Sequence, residues 1–338
     1  MKPARANSRV GIRDVADAAE VSVTTVSQVV SGNRPVSEKT RAKVKAAIAE
    51  LGYRPHPGAA SLRNQRTMAI ALVVPDLTNP FYPLVAAGLQ DILMPRGYML
   101  TISDLVMSSA KSSEVVQHFL NRRVDGIVIA SYGVQESDFE AIEESGIALV
   151  TLGAGAGRKT GDLVHSDDTE GMREMTTHLI ERGYKRIAFI GGEELAAPTR
   201  LRFDGYCLAL KEAGREVNLD LVRFAEFTRD GGHDMAQSLL SIENPPDAIV
   251  AANDLIAIGV LDSARARGLA VPGQLAVTGY DDIDAAALVS PELTTVLNPA
   301  REIGRACARL LLERLDGEVS EVSRTVALSH SLIVRQSS

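Results

Sequence analysis

Apolar positions follow two different patterns along the chain, and the change falls near residue 67. Before it, they recur at helical spacing. IRDVADAA (12–19) puts Ile12, Val15, Ala16 and Ala19 on one helical face, and Val26, Val29 and Val30 continue an apolar face in the next segment. EKTRAKVKAAIAELGY (38–53) turns Val44, Ile48 and Leu51 inward. Ser22 and Ser37 stand where N-caps belong, Glu20 and Val21 form a tight break, and SGNRPVS reads as a loop. Beyond Thr67 the pattern becomes short apolar runs bounded by turn residues: MAIALVV, DGIVIA, IALVTLG, RIAFIGG, PDAIVAA and QLAVTGY. Such runs are what parallel strands buried on both faces require, and amphipathic helices lie between them. The expected fold class is an all-α N-terminal unit followed by an α/β domain with parallel sheets.

Two short helices, a tight turn and a third helix make a helix-turn-helix unit, whose second helix can lie in the DNA major groove. That second helix, within VSVTTVSQVV (21–30), is rich in β-branched and hydroxyl residues that are mediocre helix formers. Contact with DNA accounts for them: Thr methyls touch thymine methyls, hydroxyls reach phosphates, and Gln pairs with adenine. Periodicity alone fits a small structural three-helix unit as well.

Charge separates the two parts. Residues 1–66 hold 12 Lys/Arg and 5 Asp/Glu, a balance of +7, which leaves −14 on the remainder of a chain whose net charge is −7. A basic head on an acidic body points to a polyanion-binding module joined to a second function. Aromatic residues make up only 4% of the chain and Trp is absent, so the cores must be aliphatic. Cys207 and Cys307 are the only cysteines and have neither disulfide nor metal spacing. No secretory signal and no membrane-length apolar run are visible, so a cytoplasmic protein without membrane partners is expected.

IRDVADAAEVSVTTVSQVVSGNRPVSEKTRAKVKAAIAELGYRP closely resembles the headpiece of the LacI/GalR family of bacterial transcription regulators. The resemblance implies base-reading positions at Val23, Thr24 and Gln28, with Ser22, Thr25, Ser27 and Asn33 near the DNA backbone. Glu20 departs from the family's usual Gly or Asn; a left-handed residue there would cost about 1–2 kcal/mol. After the headpiece, YRPHPGAASLRNQRT (53–67) reads as a linker containing a potential short helix with Pro57 at its first position. Family members fold this segment in the minor groove. Leu62 matches the residue that wedges between base pairs, and Arg63 follows it in the matching AASLR. The resulting domain boundaries are a basic arm (1–9), the helix-turn-helix domain (10–54), the hinge (55–66) and an effector and dimerisation domain (67–338).

In open α/β sheets, ligands bind beyond the carboxyl ends of the strands. The stretches there, PDLTNPFY, GGEELAAPTRLRFDGY, FTRDGGH, ND (253–254) and YDD (280–282), also resemble the family's effector domain, which is similar to periplasmic sugar-binding proteins. Two lobes are implied, about 67–166 with 297–324 and 167–295 with 326–338, crossed near Ser166, Val296 and Thr325. On matching positions Phe81 and Tyr82 would border the ligand from the first lobe. Arg202 and Asp281 would make charged hydrogen bonds from the second, Phe227 would pack opposite, and Asp76 and Asn253 are weaker candidates. Of the adjacent pair Asp281–Asp282, one ligand contact and one structural role are expected.

No dinucleotide fingerprint, Walker sequence, metal cluster or nucleophile elbow is present, so neither enzyme activity, metal nor cofactor is expected. The implied protein is a DNA-binding regulator, a repressor in its simplest form. It would work as a homodimer or tetramer on a palindromic operator and be controlled by a small effector such as a sugar. The tail RTVALSHSLIVRQSS carries no leucine heptads, so a tetramer held by such a coil is not expected. Two alternatives are a solute-binding protein without DNA function and a regulator controlled by a phosphorylated carrier protein.

Overall fold

The computed structural model describes residues 10–31, 34–53, 66–105, 109–153, 161–318 and 322–338. Asn33, Leu62, Arg63, the N-terminal arm and nearly all of the hinge lie outside the described residues. The chain divides into two compact units, Met1–Thr67 and Met68–Ser338.

The first unit contains α1 (Ile12–Ala18), α2 (Val23–Ser31) and α3 (Glu38–Leu51). Its core is closed by Val15, Ala16, Ala19, Val26, Val44 and Ala47, with Ile12, Val29, Ile48 and Leu51 packed against them. Val30, next to the last residue of α2, is 40% exposed instead of continuing that face; the small core ends at Val29. Ser22 and Ser37 both cap, accepting from the amides of Thr25 (3.1 Å) and Thr40 (3.3 Å). The turn between α1 and α2 does need a left-handed residue: Glu20 has φ 52°. Its exposed ion pair with Lys43 (3.3 Å) offsets little of that strain. Glu20→Gly is therefore expected to stabilise this unit by about 1 kcal/mol. Slower hydrogen exchange of the α1–α3 amides in the full chain would register the gain.

The second unit is built on two parallel sheets. The larger is ordered β11-β5-β4-β3-β1-β2, from β1 (Ala69–Val74), β2 (Met99–Asp104), β3 (Gly126–Ala130), β4 (Ala148–Leu152), β5 (Asp162–Ser166) and β11 (Thr325–Leu328). Alternation along its strands serves two separate cores. Ile70, Leu72 and Val128 face α4 (Phe81–Leu93) and the long C-terminal helix, while Ala71, Val73 and Ile127 face α5 (Ser109–Arg122) and α6 (Glu136–Ser145). The smaller sheet is ordered β7-β6-β8-β9, from β6 (Ile187–Gly191), β7 (Val222–Phe224), β8 (Ala248–Ala251) and β9 (Ala276–Thr278). It packs with α7 (Asp168–Glu181), α8 (Ala197–Glu212), α9 (Arg229–Leu239) and α10 (Asp254–Ala266). These two layers are the lobes.

The chain crosses between lobes three times. It leaves the first after β5 at Ser166 and enters α7. It returns through β10 (Thr295–Leu297) into α11 (Ala300–Leu315), and leaves again after β11 to form β12 (Ser331–Ile333), antiparallel to β10. The last crossing therefore lies after Leu328, not at Thr325. The shift has an electrostatic cause: Arg324 and Arg314 both bind the buried carboxylate of Asp162 in β5 (2.7 and 2.6 Å), fastening β11 beside it in the first sheet.

α4 and α11 touch backbone to backbone. A Cβ on Gly88 would sit 2.0 Å from the Arg301 carbonyl oxygen, and one on Gly304 2.1 Å from that of Val85, so only glycine permits the crossing.

Candidate functional site

Strand ends from both sheets converge on a cleft that is open to solvent. From the first lobe come Asp76 and Asn79 after β1, Phe81 and Tyr82 at the start of α4, and Ser131 and Tyr132 after β3. From the second come Arg202 in α8, Phe227 and Thr228 after β7, and Asp281 after β9. Asp168 and Asn298 line it at the crossings.

Arg202 is 5% exposed and extensively bonded. Its Nε donates to Asp168 Oδ1 (2.8 Å), Nη1 to the Ala252 carbonyl (2.6 Å), and Nη2 lies 3.5 Å from Asp281 Oδ1. The guanidinium also covers the Tyr280 ring at 3.9 Å. Burial by itself would lower its pKa, but Asp168 and Asp281 outweigh burial and hold it above the ordinary arginine value.

Asp281 sits in a strained turn, with φ 109° followed by 52° at Asp282. Asp254 fastens that turn: its carboxylate accepts from the Ile283 amide (2.8 Å) and the Thr295 hydroxyl (2.6 Å), and its own amide donates to the Tyr280 carbonyl. Asp281 thereby faces the cleft, while Asp282 pairs with Arg335 at 2.7 Å. Burial pushes the Asp281 carboxyl up to about 6, against the opposing pull of Arg202 and Asn298.

On the first lobe, Asn79 Oδ1 accepts from the Phe81 amide (3.1 Å) and fixes the start of α4. Phe81 and Tyr82 meet edge to face, with centroids 5.3 Å apart. Burial, reinforced by the negative charge of Asp281, raises the Tyr82 hydroxyl's pKa, so it stays a donor. The Asp76 carboxylate is engaged locally, accepting from the amide and hydroxyl of Thr78 (2.8 and 2.7 Å). Tyr132 reaches the other lobe: its ring meets Phe227 edge-on at 6.2 Å, and its hydroxyl, bonded to Glu193, is raised by burial first and by Glu193 second. Gly192 makes the Phe227 position possible, because a Cβ there would lie 2.2 Å from the ring.

The structure thus gathers Asp76, Phe81, Tyr82, Arg202, Phe227 and Asp281, and leaves out Asn253. Asn253 follows β8 as expected, but its Oδ1 caps α10 by accepting from the Ile256 amide at 2.9 Å. Asp168, Tyr132 and Asn298 are among the cleft residues that the sequence did not single out.

In the headpiece, Ser22, Val23 and Thr24 are exposed, and Thr25, Ser27 and Gln28 are half-buried along α2. The Ser22 and Thr25 hydroxyls bond each other at 2.8 Å. Among the described residues, no group of three or more His, Cys, Asp or Glu side chains could hold a metal, and no helix is long and apolar enough to cross a membrane.

Residues 11–56 match the family described as bacterial regulatory proteins, lacI family, and residues 176–338 match the periplasmic binding protein-like domain. Catabolite control protein A of Priestia megaterium is 34% identical, over 97% of this chain and 99% of its own length. The chain belongs to the LacI family. Among solved structures, a complex of the regulator CelR with cellobiose is 34% identical with a TM-score of 0.74, covering 98% of this chain and 100% of its own. The Lac repressor dimer bound to operator and the anti-inducer ONPF is 26% identical with a TM-score of 0.88, covering 98% and 99%. This LacI-family chain is a DNA-binding transcription regulator with an effector domain.

Proposed function

We propose that the chain is a repressor that binds a palindromic operator as a homodimer and whose DNA affinity is set by an uncharged polyhydroxylated ligand, a sugar, held between the lobes. Val23, Thr24 and Gln28 read bases in this arrangement. Ser22, Thr25, Ser27, Asn33 and Arg63 serve the DNA backbone, and Leu62 inserts in the minor groove.

The observation that carries the ligand class is the balance of charge in the cleft. Among the described residues, Asp76, Asp168, Glu226 and Asp281 line it against one arginine, and that arginine already faces Asp168, Asp281 and the Ala252 carbonyl. A phosphate or carboxylate ligand would meet these carboxylates with no lysine or second arginine among the described lining residues. A polyol instead offers hydroxyl donors to those carboxylates, with charge-assisted strength, and C–H faces to Phe81, Tyr82, Tyr132 and Phe227. Cellobiose in the related CelR complex belongs to this class. Calorimetric titration with neutral mono- and disaccharides beside glucose 6-phosphate and gluconate tests the reading. A neutral sugar should bind at micromolar to millimolar concentration and release or strengthen operator binding; tight binding of only the anionic compounds would contradict it.

The acid dependence of that binding follows from Asp281. As pH falls through about 6 its carboxylate gains a proton and stops accepting a hydrogen bond from a sugar hydroxyl. Sugar affinity is expected to decline below pH 6 and to level off above it. Stability moves the other way at this residue. A carboxyl raised in the folded state binds its proton more tightly there than when unfolded, so its contribution grows as pH falls from about 6 towards the ordinary carboxylate range. Titrations at pH 5, 6 and 7.5 with parallel unfolding curves separate the two effects.

A further inference from the structure

Two of the three crossings meet the ligand side of the second lobe through a closed ring of buried polar groups. Ser166, the last residue of β5, donates from Oγ to Asn298 Oδ1 at 2.9 Å. Asn298, just after β10, donates from Nδ2 to Asp281 Oδ1 at 3.1 Å. Asp281 faces Arg202 at 3.5 Å, and Arg202 binds Asp168 at 2.8 Å. Asp168 lies two residues beyond Ser166, which closes the ring. Every member is below 10% exposed, so little water competes for these bonds.

From these contacts we infer that Asn298 is a positioning residue that couples the ligand-facing carboxylate of Asp281 to the angle between the lobes. The inference rests on the proposal that a ligand binds at Arg202 and Asp281.

The chemistry of the position suits an amide, which carries its donor and its acceptor on separate atoms. Asn298 must donate to a carboxylate and accept from a hydroxyl at once, which only a group with both functions can do. The opposite amide orientation would place its oxygen against Asp281 Oδ1. Aspartate would have no donor and would repel Asp281, and leucine would fill the space but break both bonds. On its other side Asn298 leads directly into α11: its carbonyl accepts from the Ala300 amide at 2.7 Å. α11 is locked to α4 through the Gly88–Gly304 backbone contact, and α4 carries Phe81 and Tyr82. A shift of Asp281 on taking up a ligand hydroxyl is thus transmitted through Asn298 to both helices of the first lobe. The ring is also what a two-state lobe angle needs, a bonded arrangement that one ligand state favours over the other.

The first test needs no ligand. Nitroxides at exposed Glu140 in the first lobe and exposed Glu216 in the second, in a Cys207→Ser background diluted with unlabelled protein, report the interlobe distance by pulsed electron resonance. Asn298→Leu should broaden or shift the distribution, and Ser166→Ala, which breaks one link by removing a single hydroxyl, should do so in part. An unchanged distribution in both overturns the inference. The second test measures operator affinity without sugar and with saturating neutral sugar, so that weaker sugar binding by a variant does not enter. The ratio should fall at least tenfold in Asn298→Leu and less in Ser166→Ala; a wild-type ratio in both also overturns it. If no neutral sugar binds the wild type, the ligand proposal fails on that result, and the distance measurement still decides the role of Asn298.

Discussion

Arg202→Ala is expected to lower the unfolding free energy by about 3–5 kcal/mol, the range for removing one partner of a buried ion pair, and to abolish effector binding. The cost does not come mainly from lost attraction. Arg202, Asp168 and Asp281 have side chains only 6%, 8% and 5% exposed, so deleting the cation leaves two carboxylates without a counter-charge and without water. The Ala252 carbonyl loses its donor and the Tyr280 ring its cover. The pH dependence separates this cause from simple loss of volume. Uncompensated carboxyls take up protons more readily, so the variant's deficit should narrow between pH 7.5 and pH 5, whereas a packing defect would be the same at both. Asp281→Asn, which removes one negative charge and keeps a polar group against Asn298, should be far milder in stability yet still weaken sugar binding. Urea unfolding at both pH values provides the check. A deficit below about 1 kcal/mol, or one independent of pH, would mean that the triad does not carry the charge balance described here.

How much of this was legible in the sequence depended on burial. Strands β1, β3, β4, β6, β8 and β9 sit inside their sheets or are covered on both faces, so they appear as uninterrupted apolar runs. β2 and β11 are edge strands with exposed, mixed positions, β7 and β10 span three residues, and β5 carries Asp162 and His165. None of these has the apolar run that marks a buried strand. The consequence reaches the site. Looking just beyond strand ends finds Asp281 after β9, but Asp168 and Asn298 follow β5 and β10, strands that gave no apolar run to look beyond. Tyr132 follows the legible β3, and its role depends on Phe227 and Glu193 of the other lobe, a pairing that only the fold brings about. Asn253 shows the converse: it stands at the right place after β8, yet the need to cap α10 claims its side-chain oxygen. In the headpiece, helix spacing and Ser caps located the three helices, and the departure at Val30 arises because the one small core ends at Val29.

The headpiece supplies the other large effect. Gln28→Ala is expected to cost about 1–3 kcal/mol for each side chain–base pairing lost, and a dimer on a palindrome loses two. Gln28 lies on α2 four residues beyond exposed Thr24, one helical turn along the same face, whereas Val26 between them is fully buried and fixes which side of the helix points outward. Gln carries no charge. Its removal should therefore leave the salt dependence of binding unchanged, since that slope counts the phosphates neutralised by Lys and Arg. The operator can be obtained by selecting from random duplexes with the full chain, after which each symmetric pair of bases is varied in turn. A base-reading Gln28 predicts that the variant loses discrimination at one symmetric position and keeps it elsewhere, with binding to unrelated DNA unaltered. A uniform loss across all sequences, unrelated DNA included, would make Gln28 a backbone contact and move base reading to Val23 and Thr24.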